Sequence, residues 1–147
     1  MVAGVFPYIA PYVRLVFWTY RNSKNYAKRI LQFLGVREQI IYWIAVNEQK
    51  NIVGTIGLYS NVNDSHEAVW MAYFCVDPQA RRQGIGRRLI EHAIEQARAL
   101  GVPYFRLYTS TLQNESASHA LYYEHGFRLV KTKRTLFYKL LYMQLDL

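Results

Sequence analysis

Apolar residues recur along this chain with two different periods, and the points where one period gives way to the other divide it into elements. Residues 21–34 carry Ala27, Ile30, Leu31 and Leu34 at helical spacing and stop at Gly35, which predicts a helix. Residues 39–46 are rich in β-branched and aromatic side chains and read as a strand. Residues 47–51 form a turn, and residues 52–59 are the hairpin partner. After a polar loop at 60–65, the unbroken apolar run at 68–76 has the look of a strand covered on both faces. From 86 to 100 the apolar positions Leu89, Ile90, Ala93, Ile94, Ala97 and Leu100 share one helical face, opposite Arg87, Arg88, Glu91, Glu95 and Arg98. Gly101 ends that helix and Pro103 precedes a strand at 104–109. Residues 116–125 predict another helix, closed by Gly126, and residues 127–130 and 135–145 predict two final strands. The order is helix, hairpin, strand, helix, strand, helix, two strands. It describes a mixed α/β arrangement around one sheet, with a β–α–β unit at its centre.

A chain of 147 residues is most simply one domain, spanning residues 1–147, and is long enough to enclose a core. With 52% hydrophobic and 19% charged residues, it is not a disordered tail. Cys75 is the single cysteine, so there is no internal disulfide framework, and a reducing, cytoplasmic setting is the expectation. Four scattered histidines and one cysteine lack metal-ligand spacing, so no metal is expected. Residues 1–20 are apolar and aromatic, but Pro7 and Pro11 interrupt a helix and Arg14 splits the run. That segment reads as part of the core or of a homodimer contact, without membrane insertion. Eighteen Lys and Arg against ten Asp and Glu give a net charge of +8, which favours anionic partners without choosing among them. Lys131, Lys133 and Arg134 form a basic cluster that reads as a solvated turn.

The densest chemistry lies between Val76 and Ile90, where an apolar strand stops at Asp77-Pro78 and an arginine- and glycine-rich bend leads into the helix. Gly84 and Gly86 permit close approach of a ligand to the backbone, and amides from about Arg82 to Arg87 have no partner within the helix. With the helix dipole and flanking arginines, these amides make a site for phosphate. A dinucleotide fingerprint would need a third glycine where Leu89 stands, and a Walker loop would need Lys-Ser or Lys-Thr where Arg87-Arg88 stand. The two glycines also suit a plain strand-to-helix turn.

Arg81-Arg82-Gln83-Gly84-Ile85-Gly86 resembles the (Gln/Arg)-x-x-Gly-x-(Gly/Ala) signature of the GNAT family of acyl-CoA-dependent N-acyltransferases. Leu121-Tyr122-Tyr123-Glu124-His125-Gly126-Phe127 resembles that family's Leu-Tyr-x-x-x-Gly-Phe segment. The resemblance is specific from about Ala68 to Phe127 and only architectural before it. It implies a mixed sheet of six to seven strands flanked by about four helices, with a splayed central strand pair. It further implies acetyl-CoA as cosubstrate, an amine of a small molecule or peptide as acceptor, and direct attack in a ternary complex. The amides of Arg82, Gln83, Gly84, Ile85, Gly86 and Arg87 would hold the diphosphate, with Arg81 and Arg88 at the rim. The backbone of Phe74, Cys75 and Val76 would line the pantetheine, and the Phe74 amide would stabilise the oxyanion. Tyr122 would protonate the departing thiolate; Tyr123 is one position out of register.

Three departures from the family pattern stand out. Glu115 occupies the place of a frequent asparagine, with Asn114 one residue early and able to reach the pantetheine only through a small kink. Trp70 stands where many members carry a glutamate base; His66 and Glu67 lie nearby and read as ordinary strand-edge residues, so deprotonation of the amine would run through water. The first strand is hard to see, with residues 12–19 as its candidate. Cys75 sits in an apolar strand, where burial would make it inert, so no acyl-enzyme is expected. Two other readings compete: an acyl-CoA-binding sensor of the same fold without strong catalysis, and a basic nucleic-acid-binding module using its many tyrosines. The latter is disfavoured, and no nucleic acid is expected as a partner, because the basic residues gather at the helix start and not among the aromatics.

Overall fold

The computed structural model describes residues 40–147. Its strands are β1 (Ile40–Val46), β2 (Ile52–Tyr59), β3 (Ala68–Val76), β4 (Tyr104–Ser110), β5 (Arg128–Arg134) and β6 (Lys139–Asp146). Its helices are α1 (Ile85–Ala99), α2 (Gln113–Ser116) and α3 (His119–Glu124), with a short 3₁₀ turn at Pro78–Ala80. The strands form one sheet in the order β1-β2-β3-β4-β6-β5. All neighbours are antiparallel except β3 and β4, which are parallel because α1 carries the chain across between them. This is the mixed α/β architecture the sequence predicts. The helix expected at 21–34, the candidate strand at 12–19 and the reading of residues 1–20 lie outside the described residues. No described helix is long and apolar enough to cross a membrane.

The amphipathic face of α1 buries Leu89, Ile90, Ala93, Ile94 and Ala97. It packs on β2 and β3 around Ile56, Leu58, Val69 and Met71, while Phe105, Leu107, Tyr122, Phe127 and Met143 continue the core beneath α3. At the far end of α1, Gly101 takes φ +70°, as a helix terminator needs.

Three expectations are corrected. Residues 116–125 are not one helix: α2 ends at Ser116 and α3 starts at His119. The break falls at Ala117-Ser118, just after the Ser116 hydroxyl donates back to the Gln113 carbonyl at 3.1 Å, a local alternative to the helical ladder. Phe127 is a core residue ahead of its strand, and β5 runs to Arg134, so Lys131, Lys133 and Arg134 lie on a strand and not in a turn. The turn sits at Thr135–Tyr138, closed by the Thr135 amide on the Tyr138 carbonyl at 2.9 Å. Finally, β3 is not covered along its whole length. Tyr73, Phe74 and Val76 are only half-buried, because the neighbouring strand departs there.

Candidate active site

β3 and β4 pair only at Ala68, Val69 and Trp70, opposite Tyr104, Phe105 and Arg106. Beyond that point they diverge, and a cleft of about 680 Å³ opens between Cys75 on one side and Thr109 on the other. A polar clasp holds the closed end. The Arg106 guanidinium donates to Asp64 at 2.8 Å, to Glu67 at 2.7 Å and to Gln144 at 2.9 Å. The Trp70 indole N–H also reaches the Asp64 carboxylate, at 2.9 Å.

At the open end β3 carries a bulge. Thr55 pairs with Cys75 and Gly57 with Ala72, so Tyr73 and Phe74 together face Ile56. Tyr73 accordingly adopts φ +42°, a left-handed conformation that tyrosine enters only under constraint. The bulge interrupts the ladder beside the peptide expected to supply the oxyanion donor.

From Val76 the chain makes a tight turn. Asp77 accepts from the Gln79 amide at 2.9 Å, and Arg81 Nε donates to the Val76 carbonyl at 3.2 Å. Arg82 takes φ +65° and Gly84 φ +75°, after which α1 begins with no side-chain cap. The first amides of α1 are therefore not capped by a side chain at the mouth of the cleft. Arg81, Arg82, Gly84, Ile85, Gly86 and Arg87 all border it. Gln83 and Arg88 do not; they line the opposite side of the turn, towards the 47–51 loop and Asn51. Arg87 bridges to Glu124 of α3 at 2.7 Å, linking the two helices over the cleft.

Tyr122 is buried against Phe74 and Phe127, with ring centroids 6.0 and 6.1 Å away. Burial pushes its phenol above the usual range; the Ser118 hydrogen bond opposes this and the nearby Glu115 adds to it. The phenol therefore keeps its proton at neutral pH. Tyr123 points to solvent. Burial also pushes the Cys75 thiol up to about 11, with Arg81 pulling it slightly back. A thiol so placed is a poor nucleophile.

Asn114 borders the cleft from α2, and so does Glu115. The buried Thr109 hydroxyl lies 3.4 Å from Glu115 Oε2 and 3.3 Å from His119 Nε2. Sequence reasoning missed this group, since its members sit on three different elements. Trp70 and Glu67 belong to the closed-end clasp, and His66 is exposed beside them. Glu67 precedes Phe74 by seven strand residues, roughly 23 Å, too far for proton transfer at the bulge. Arg106 was also overlooked, although a lone arginine within the otherwise apolar and hydroxyl-bearing Tyr104–Ser110 strand is an available signal. Among the described residues no group of His, Cys, Asp and Glu could hold a metal ion.

The arrangement can take a ligand with a diphosphate at the α1 start and a narrow arm between the parted strands. A family model described as the acetyltransferase (GNAT) family matches residues 10–127. GCN5-related N-acetyltransferase 6, chloroplastic, of Arabidopsis thaliana is 35% identical over 77 residues, 51% of this chain. The chain spans about a quarter of that relative, 26% of its length. A protein described as a streptothricin acetyltransferase from Bacillus anthracis, solved with acetyl coenzyme A, is 25% identical with a TM-score of 0.63, over 76% of this chain and 64% of that one. A GNAT family acetyltransferase from Elizabethkingia anophelis with acetyl-CoA bound shares the fold, with a TM-score of 0.64 at 19% identity, over 81% and 82% of the two chains.

Proposed function

Because this chain belongs to the acetyltransferase (GNAT) family, we propose that it moves an acetyl group from acetyl-CoA to a primary amine by direct attack in a ternary complex. The observation that carries this reading is the continuity of the parted β3–β4 strands with the uncapped start of α1. One opening thus offers amides and arginines to a diphosphate, and a strand backbone to the pantetheine. The solved relative from Bacillus anthracis holds acetyl coenzyme A, which supports the same cosubstrate here.

The residues take the following parts. The amides of Arg82 and of Gly84 to Arg87 bind the diphosphate, with Arg81 and Arg82 adding charge at the mouth. The Phe74 amide, turned by the bulge, donates to the carbonyl oxygen as negative charge gathers there. The amine nitrogen bonds to the carbonyl carbon and the carbon–sulfur bond breaks. Burial that keeps Tyr122 protonated also makes it a weak acid, so it first hydrogen-bonds the departing sulfur and then yields its proton as charge develops. Glu115 borders the cleft, with the Thr109 hydroxyl at 3.4 Å and His119 on the other side of that hydroxyl, and in this reading it is the carboxylate that takes the amine proton.

The test is turnover across a panel of small and peptide amines, read as free thiol release. Tyr122→Phe should lower kcat by about 10²–10⁴ while acetyl-CoA still raises Tm. Equal turnover in that variant would remove Tyr122 from the mechanism. A second reading, an acyl-CoA sensor, draws support from Trp70 in the place of a strand carboxylate and from the capture of Glu67 by Arg106. Acetyl-CoA binding with no turnover on any amine would select it.

A further inference from the structure

The described residues with the most exposed large apolar side chains are Leu136 and Phe137, at 87% and 86%. They are adjacent, and they form the tip of the β5–β6 hairpin. The tip is held in place: the Thr135 hydroxyl donates to the Tyr138 carbonyl at 2.7 Å and accepts from the Tyr138 amide at 3.1 Å. Between Arg128 and Lys139 the chain has five basic residues and no acidic one. Arg128 is neutralised by a two-pronged bridge to Asp146, at 2.8 and 3.0 Å. Lys131, Lys133, Arg134 and Lys139 are exposed and, among the described residues, none of them meets a carboxylate; Lys131 lies over the Tyr142 ring. The hairpin thus ends in two apolar side chains behind which stands a collar of four cations.

We infer that this hairpin tip docks the protein on an anionic phospholipid surface, Leu136 and Phe137 entering the headgroup–acyl boundary and the four cations lying among the lipid phosphates and carboxylates. A bilayer boundary accepts an isolated apolar wedge, whereas a stable protein interface needs roughly 1,000 Å² of matched surface, which a two-residue convex tip does not offer. A second copy would bring the same cations to the contact and be repelled. An anionic lipid surface supplies both complements at once, an apolar interior and negative charge in front of it. Tyr138 and Leu140, just behind the tip, border the cleft, so docking would hold the cleft close to the lipid. The inference does not depend on the acetyltransferase reading.

The test is sedimentation of the full chain with vesicles of phosphatidylcholine alone and of phosphatidylcholine with about one-third phosphatidylserine. Wild type should sediment with the anionic vesicles and release as salt is raised. Leu136→Ser with Phe137→Ser should weaken that binding about a hundredfold. Lys133→Glu with Lys139→Glu should weaken it by a similar factor of about a hundred on anionic vesicles only. Both pairs are exposed, and unchanged far-UV circular dichroism establishes that the variants fold. Wild type remaining in the supernatant would overturn the inference. So would binding unaltered by the serine pair, which would indicate diffuse charge attraction. A dimer in solution that the serine pair dissolves would overturn it too, by assigning the tip to a second copy.

Discussion

Replacing Gly84 and Gly101 separately by alanine compares two positions at opposite ends of α1. Both glycines have left-handed backbones, φ +75° and +70°, and a Cβ at either would meet nothing within 4 Å. The cost of each change is therefore backbone strain alone, about 1–2 kcal/mol. At roughly 3 °C per kcal/mol for a domain of this size, each variant should melt about 3–6 °C below wild type. The two should part on adding acetyl-CoA. A ligand at a hundred times its Kd adds about 2.7 kcal/mol, or roughly 8 °C. Gly101→Ala should keep this whole increment. Gly84→Ala should lose half or more, because its methyl group and altered turn lie where the diphosphate is proposed to meet the α1 amides. Gly86→Asp should lose all of it. A Cβ there would come within 3.3 Å of Phe74 Cζ and 3.4 Å of Leu121 Cδ2, and the carboxylate would face the diphosphate. The assay is differential scanning fluorimetry with and without acetyl-CoA. Equal increments in wild type, Gly84→Ala and Gly86→Asp would refute the placement of the diphosphate.

Three further outcomes follow from the site. Glu115→Gln should lower kcat about a hundredfold at neutral pH and recover as the amine loses its proton in alkali; a pH–rate profile parallel to wild type would exclude Glu115 as the base. The Cys75 thiol lies at about 11 when folded against 9.0 when free, so its contribution to stability is complete below pH 9.0 and disappears as pH rises through about 11. Urea midpoints across that window should fall less steeply in Cys75→Ala, and equal slopes would count against this assignment. Arg106→Met leaves Asp64 and Glu67 facing each other without their shared cation, and should destabilise by about 2 kcal/mol in chemical denaturation. A loss below about 0.5 kcal/mol would show the clasp to be no more than a surface contact.

The elements that could be read from the chain are those whose period is written locally. Residues 52–59 and 68–76 match β2 and β3, and residues 86–100 match α1 within one position, since apolar spacing alone selects strand or helix there. The turn before α1 was legible too, because Pro78 stops the strand and Gly84 admits the left-handed φ of +75° taken there. Residues 116–125 were misread as one helix because the Ser116 hydroxyl competes with the helical ladder at the Gln113 carbonyl, a contest that periodicity does not register. Which residues face the cleft was not written in any one segment. Gln83 and Arg88 turn away from it while Arg82 and Arg87, their neighbours, turn towards it. The bulge at Tyr73–Phe74 exists only through the register of β3 on β2, and the splay only through the early end of β3–β4 pairing. Thr109, Glu115 and His119 meet from separate elements, and Arg106 finds Asp64 and Glu67 across about forty residues of chain. Local sequence sets backbone preference and the side of an element that avoids water. The convergence of polar groups from distant segments is set by how strands align, and that alignment is decided only when the whole sheet has closed over its core.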